Sequence, residues 1–269
     1  MAVFTPVQDA IDELARDPLR NIVLLKHLLA YPSHVKVHRA GGAQGAATLV
    51  VLETGVSPYD RLTYPKATLA ALIESDHPEL TASLVSCVPR DVGIVFKLSR
   101  ESDLAAIYSR FPVMRRSAFL SFTSADESQP DRAVRITATP GAYAFELFAA
   151  QGHARAWLEP LLQAGKAIAC VLERDGDIGA ACIAFENYGP VWEVGGVVTP
   201  PAHRRQGFAA RVVRAALATL TDRGLTPRYQ AEERNTASIG LARSVGLTPF
   251  LTIVHYEHES REAAAPRAR

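Results

Sequence analysis

The densest chemistry in this chain lies where an apolar strand pattern, 191–198, gives way to a long amphipathic helical pattern, 207–223. Between them runs Thr199-Pro200-Pro201-Ala202-His203-Arg204-Arg205-Gln206-Gly207-Phe208-Ala209. A helix N-terminus carries unsatisfied N–H groups and the positive end of the helix dipole. Gly207 lets backbone approach a ligand closely, the single methyl of Ala209 leaves that approach open, and Arg204 and Arg205 add positive charge. Such a corner suits a phosphate-bearing ligand. Read alone, the arginines fit solvated surface charges equally well. The corner is not a Walker loop, because no Gly-Lys-Ser/Thr follows, and its glycine spacing is not that of a dinucleotide-binding fingerprint.

The elements that must position this corner are legible around it. A strand is expected over 134–138, helices over 142–151 and 154–163, and a hairpin of 167–173 with 178–186 about Arg174-Asp175-Gly176-Asp177. Helix 207–223 places Phe208, Val212, Ala216, Leu217 and Leu220 on one face. A strand at 228–232, a helix at 236–245 stopped by Gly246 and a strand at 250–258 complete the half. Cys170 and Cys182 flank the hairpin turn and face each other across it or are two small buried side chains. No Cys-x-x-Cys or mixed Cys/His cluster offers a metal site. Trp157 and Trp192 read as core or pocket walls.

Three segments carry a resemblance. Arg204-Arg205-Gln206-Gly207-Phe208-Ala209 is similar to the R/Q-x-x-G-x-G/A loop of the GNAT acetyltransferases, with alanine at the last position. Gly196-Val197-Val198-Thr199-Pro200 resembles the end of that family's central strand. The run from Asn235 through Leu241 and Ala242 to Gly246-Leu247 resembles its N-x-x-A/S-x-x-L-Y/A-x-x-x-G-F segment. The motifs stand in the right order, separated by one helix and one strand, and the resemblance spans 134–258. It implies an α/β (α+β) fold with a mixed, mostly antiparallel, splayed sheet flanked by helices. It also implies acetyl-CoA as acyl donor, with no metal, and the amine of a small-molecule or amino-acid-like acceptor.

The resemblance implies roles residue by residue. Free backbone groups of Val197 and Val198 would pair with the pantetheine arm. The loop and helix start, Arg204, Arg205, Gln206, Gly207, Phe208, Ala209 and Ala210, would hold the pyrophosphate. Asn235 would touch the pantetheine or act as a plain helix cap, and Ser238 and Arg243 of the same helix are further candidates for the ligand. A neutral amine would attack the thioester directly, the oxyanion taking an N–H near Val198. Glu193, between Trp192 and Val194, is the candidate general base. It serves equally as an ion-paired or solvent-facing glutamate, with Glu232 or Glu233 as fallback. The family often protonates the departing thiolate from a tyrosine at the position held here by Ala242; Tyr229 and Tyr256 are the available substitutes.

The first half carries no such motif. Helical spacing spans 7–30, alternation marks a strand at Val35 and Val37, and Gly41-Gly42-Ala43-Gln44-Gly45 reads as a turn before a buried strand at 46–52. Weak helical patterns occupy 66–85, broken near Asp76-His77-Pro78. A strand (92–98), a short helix (102–109) and an extended piece (111–122) follow. His34 and His38, like His255 and His258, fall on strands and do not converge as helix-borne ligands would. The expected organisation is an N-terminal α/β domain at 1–122, a polar linker at 123–133, a GNAT domain at 134–258 and a disordered tail at 259–269. By analogy with the glycine N-acyltransferase-like branch, the first domain is a degenerate GNAT-like domain that helps form the acceptor site.

Composition bounds the rest. A net charge of +1 gives no basic excess of the kind nucleic-acid binders show. No apolar run is long enough to span a bilayer, the N-terminus lacks a signal-peptide pattern, and three cysteines suit a reducing compartment. The expectation is a cytoplasmic protein, monomer or homodimer, without nucleic-acid or membrane partners. Two rivals stand beside the acetyltransferase: a non-catalytic acetyl-CoA-binding or interaction protein, favoured by Ala242, and a tandem-GNAT aminoacyl or long-chain acyl transferase.

Overall fold

The computed structural model describes residues 2–124, 129–174 and 176–260. The first half of the chain runs β1 (Val3–Phe4), α1 (Val7–Leu14), α2 (Ile22–Ala30), β2 (Val35–Gly42), β3 (Gly45–Glu53), α3 (Pro58–Thr63), β4 (Leu69–Ser75), α4 (Pro78–Val85), β5 (Ile94–Leu98), α5 (Leu104–Tyr108) and β6 (Met114–Thr123). The second runs β7 (Val134–Thr137), α6 (Ala142–Ala150), α7 (Arg155–Gln163), β8 (Ala167–Arg174), β9 (Asp177–Tyr188), β10 (Val191–Val198), α8 (Phe208–Asp222), β11 (Thr226–Glu232), α9 (Thr236–Ser244) and β12 (Thr248–His258). Apart from α3 and short 3-10 turns, the two halves repeat one order of elements. No periodicity in the sequence announces this duplication.

The chain parts into two compact units, Met1–Phe119 with Leu251–Arg269, and Leu120–Phe250, whose boundaries fall inside β6 and β12. Of the expected linker 123–133 and tail 259–269, residues 125–128 and 261–269 lie outside the described residues, as does Asp175 of the hairpin turn. The span 66–85, expected to be weakly helical, instead holds β4 followed by α4. Leu69-Ala70-Ala71-Leu72-Ile73 is apolar on both sides of the strand and nearly all of it is buried, and a continuous apolar run has no period that separates helix from strand.

In the first unit the strands lie in the order β1-β2-β3-β4-β5-β12. All neighbours are antiparallel except β4 and β5. Its core gathers Leu49, Val51, Ile73, Phe96 and Phe111 under Leu84 and Val85 of α4.

In the second unit the order is β6-β11-β10-β9-β8-β7. Here β7, β8, β9 and β10 are antiparallel in succession and β10 pairs β11 in parallel. Strand residues alternate between two cores, as period two demands. Ile168, Cys170 and Leu172 of β8, with Ala180, Cys182 and Ala184 of β9 and Trp192 and Val194 of β10, pack with Val212, Val213, Ala216 and Leu220 of α8. Ala167, Ala169 and Val171, with Ala181, Ile183 and Phe185, pack with Phe145 and Phe148 of α6 and Leu158 and Leu162 of α7. Sheet strands buried on both faces explain the near-continuous apolar runs of β8 and β9. Cys170 and Cys182 are register partners across the hairpin, both buried and both free thiols. The hydrogen bond from Cys170 and burial push the Cys182 thiol up.

Candidate functional site

The second unit opens where β10 and β11 part. Their parallel ladder runs from Val191↔Thr226 to Val194↔Tyr229 and stops. Beyond it β10 continues through Gly195-Gly196-Val197-Val198 and β11 through Gln230-Ala231-Glu232. The opposite edge of β10 is disturbed at the same place: its register with β9 shifts between Gly195 and Val198, and Gly196 has φ +58°. Consecutive glycines inside a strand are the sequence signal for such a bulge.

The chain leaves β10 through Thr199, turns through a 3-10 segment, Pro201–His203, and enters α8. Arg205 has φ +60° and Gly207 φ +78°. For arginine that left-handed conformation costs roughly 1 kcal/mol or more. Alternating backbone hand of this kind turns successive N–H groups into one concavity, an anion nest. Gly207 is the N-cap of α8 and no side chain caps the helix, so its first N–H groups stay available. A cavity of about 490 Å³ lies against this turn, walled by Val197, Val198 and Thr199 of the strand end and by Arg204, Arg205, Gly207, Phe208, Ala209 and Ala210. The Oγ1 of Thr199 is buried there with no hydrogen-bond partner. An orphaned hydroxyl, an uncapped helix start and two arginines fit the pyrophosphate and pantetheine of a CoA thioester.

The structure thus gathers eight of the expected binding residues on one wall. Gln206 belongs to the same turn, but its Nε2 donates to the carbonyl of Ala202 at 3.3 Å. Asn235, Ser238 and Arg243 are not on the wall; α9 reaches it with Leu241 and Ser244. Asn235 is the N-cap of α9, its Oδ1 accepting from the Ser238 N–H at 3.0 Å. Ser238 Oγ meets the Tyr229 hydroxyl at 2.6 Å, and burial pushes the Tyr229 phenol up, holding it protonated. Ala242, at the position where the resembled family often has tyrosine, is fully buried in the α8-side core with Tyr229. Tyr256 lies in the core of the first unit.

Glu193 lies on the α6/α7 side of β10, opposite Phe185 of β9 and Arg228 of β11. Its Oε2 accepts from Arg228 Nη1 at 2.6 Å and from Asn187 Nδ2 at 2.8 Å. Arg228 is 1 % exposed and also donates to Ser121 Oγ at 3.0 Å. The glutamate is therefore the anionic half of a buried ion pair, one of the alternatives left open by the sequence. Sequence reasoning missed Gln151, His203 and His153. Gln151 and His203 line the cavity, and His153 sits against the bulge at Gly195 and Gly196. Among the described residues no three of His, Cys, Asp and Glu are grouped to hold a metal ion.

Comparison with known proteins agrees with this geometry. Residues 136–247 match the acetyltransferase (GNAT) family, which marks a GNAT acetyltransferase domain over that span. No curated protein sequence matches the chain. Among solved structures, it is similar to an acetyltransferase from the GNAT family of Colwellia psychrerythraea (13 % identity, 96 % of this chain and 100 % of that one, TM-score 0.59). It is also similar to a GCN5-related N-acetyltransferase from Sphaerobacter thermophilus (12 %, 97 % and 96 %, 0.56). A tandem GNAT protein from the clavulanic acid biosynthesis pathway aligns over 100 % of this chain and 99 % of its own (14 %, 0.51). At these identities the likeness is one of fold.

Proposed function

We propose that this protein transfers an acyl group, acetyl in the first instance, from acyl-CoA to the nitrogen of a small-molecule amine. The observation that carries the reading is the parted end of β10 and β11 beside the uncapped α8 N-terminus, with the cavity between Val197–Val198 and Arg204–Ala210. A pyrophosphate at the α8 turn would leave the extended pantetheine to run along the unpaired edge of β10, bringing the thioester toward the bulge at Gly195-Gly196. Backbone N–H groups freed there are fixed donors for the oxyanion of a tetrahedral intermediate and need no reorganisation when charge develops. Bringing amine and thioester together on one strand supplies the proximity part of the rate.

Glu193 stands two residues before the bulge. With Arg228 and Asn187 on one oxygen, its charge is offset by the guanidinium, and the pair would tie β10 to β11 just before the point where the strands part. A second reading, acetyl-CoA binding without turnover, is favoured by two observations: Ala242 is buried where a tyrosine would supply the thiol proton, and the Glu193 carboxylate is committed to Arg228.

The deciding experiment is calorimetric titration with acetyl-CoA, followed by a thiol-release assay with primary amines. Binding with turnover supports the transferase; binding without release of CoA for any amine or acyl length supports the sensor. Absence of binding to acetyl-CoA and to longer acyl-CoAs removes both.

A further inference from the structure

One imidazole stands on the bulge. His153 lies in the corner between α6 and α7, and that corner is tightly specified. Gly152 takes φ +88°, its N–H donates to the Ala149 carbonyl at 2.9 Å, and the His153 N–H donates to the Phe148 carbonyl at 3.0 Å. These are the two bonds of a Schellman stop, so the backbone of His153 is fixed by the end of α6 rather than left in a free loop. Its ring tilts 32° against Trp157 at 5.5 Å and lies 6.0 Å from Phe185, with Trp157 edge-on to Phe185 at 5.1 Å.

This packing brings the Cδ2–Nε2 edge of the ring over β10. A Cβ placed on Gly196 would come within 3.1 Å of His153 Cδ2, and one on Gly195 within 3.9 Å of Nε2. The glycine pair is thus what leaves room for the ring. Two residues earlier in the same corner, Gln151 forms part of the cavity wall with Val197 and Val198. The α6–α7 corner therefore follows β10, with Gln151 at the cavity and His153 at the bulge. Two residues before Gly195 on β10 stands Glu193, paired with Arg228 of β11, and on α7 Arg155 pairs with Glu159.

Resting on the acyl-transfer reading, we propose that His153 is the proton shuttle of the reaction. Nε2 takes the proton of the attacking nitrogen as the C–N bond forms. The C–S bond then breaks, its electron pair leaves with sulfur, and the proton on His153 passes to that thiolate. Atoms and charge balance: amine and thioester give amide and free thiol. One group then serves both steps, which removes the need for a tyrosine at position 242.

The test has two arms on the full chain. In the first, the histidines are labelled with nitrogen-15 and S-acetonyl-CoA, which cannot transfer its acyl group, is titrated while binding is followed by calorimetry. The imidazole signal absent from His153→Asn is expected to move on saturation. Binding with that signal unmoved overturns the shuttle; no binding overturns the acyl-transfer reading itself. In the second, 2-phenylethylamine, n-butylamine and glycinamide are acetylated across pH. His153→Asn is expected to lower kcat about 100-fold or more, to leave acetyl-CoA affinity within about threefold, and to lose the acid limb of the kcat–pH profile. Added imidazole should restore turnover to His153→Ala, as a packing role would not. An acid limb that survives in His153→Asn overturns the proposal.

Discussion

The sharpest perturbation of the α8 turn is Gly207, replaced in one variant by alanine and in another by glutamate. A Cβ at this position meets nothing within 4 Å, yet φ is +78°. Both substitutions therefore carry the same backbone penalty, about 1–2 kcal/mol for a left-handed residue with a side chain, and both should lower Tm by a similar amount. They differ in charge. A carboxylate about 4 Å from one phosphate charge repels it by ~1 kcal/mol in bulk water and by ~4 kcal/mol at the effective dielectric of a protein surface. Gly207 is exposed and the cavity opens to solvent, so about 2 kcal/mol is the working value, or ~30-fold in Kd. The glutamate would also take the free N–H groups of the first turn for itself. Calorimetry with acetyl-CoA should show Gly207→Ala within about threefold of the parent and Gly207→Glu weakened ~30-fold or more. Equal loss in both variants would mean that backbone strain, not phosphate charge, governs the site. No loss in either would refute the placement of the pyrophosphate at this turn.

Two further outcomes follow from buried charge. Arg228→Met leaves Glu193 half-buried without its guanidinium, and urea unfolding should show a loss of about 3 kcal/mol, while the double variant Glu193→Gln, Arg228→Met recovers most of it. In the first unit, burial, then the nearby Lys97 ammonium, pushes His27 down to about 3 and His255 to about 2. Between those values and the ordinary ~6.5 the unfolded chain binds protons that the folded chain does not. Stability therefore falls as pH drops below about 6.5, by ~1.4 kcal/mol per pH unit for each histidine, and levels off for His27 below about 3 and for His255 below about 2. Denaturant midpoints between pH 7 and 5 should drop with that slope, and His255→Gln should remove about half of it; an unchanged slope would show that His255 is not the neutral, Tyr64-bonded group described by the 2.6 Å contact.

What the sequence made legible follows from which signals are local. The α8 turn was readable because a helix start, a glycine and two arginines are contiguous, and the structure gathers Arg204, Arg205 and Gly207 on one wall. Asn235 was readable as a cap for the same reason. Glu193 could not be resolved, since its partner Arg228 lies 35 residues away on a parallel strand and register is not written in either segment alone. His153 was invisible because its meaning comes from glycines 42 and 43 positions later. A Gly195-Gly196 pair inside an apolar strand does announce a bulge or a close approach, but not what approaches. β4 was misread because an apolar run buried on both faces has no polar beat to reveal its period.

The repeated order of elements sharpens the case for where the chemistry resides, because the two units share a topology and differ at the points that matter. In the first unit the parallel pair is closed: β4 and β5 hold register from Leu69↔Ile94 to Ile73↔Leu98, the whole length of β5. Its crossing helix α4 begins at Pro78, and the ring of His77 accepts the Glu79 N–H at 3.3 Å. Just before it stands Asp76, whose carboxylate takes the Ala46 N–H and the Arg20 guanidinium; these bonds lower its pKa and keep it ionised. An anion brought there would meet a filled cap and a fixed negative charge. In the second unit the ladder ends at Val194↔Tyr229, the cap of α8 is a glycine, and the charges beside it are arginines. The same order of elements thus yields a sealed sheet or an anion-receptive slot according to a few residues at one corner. Grafting the difference in the sealing direction is the corresponding test: Gly195→Val with Gly196→Val would force the α6–α7 corner off β10, since Cβ atoms there meet His153 and Ile183 at 3.1–3.9 Å. Acetyl-CoA binding should then fall even though Arg204, Arg205 and Gly207 are untouched, and unimpaired binding would show that the strand's parted end is not part of the site.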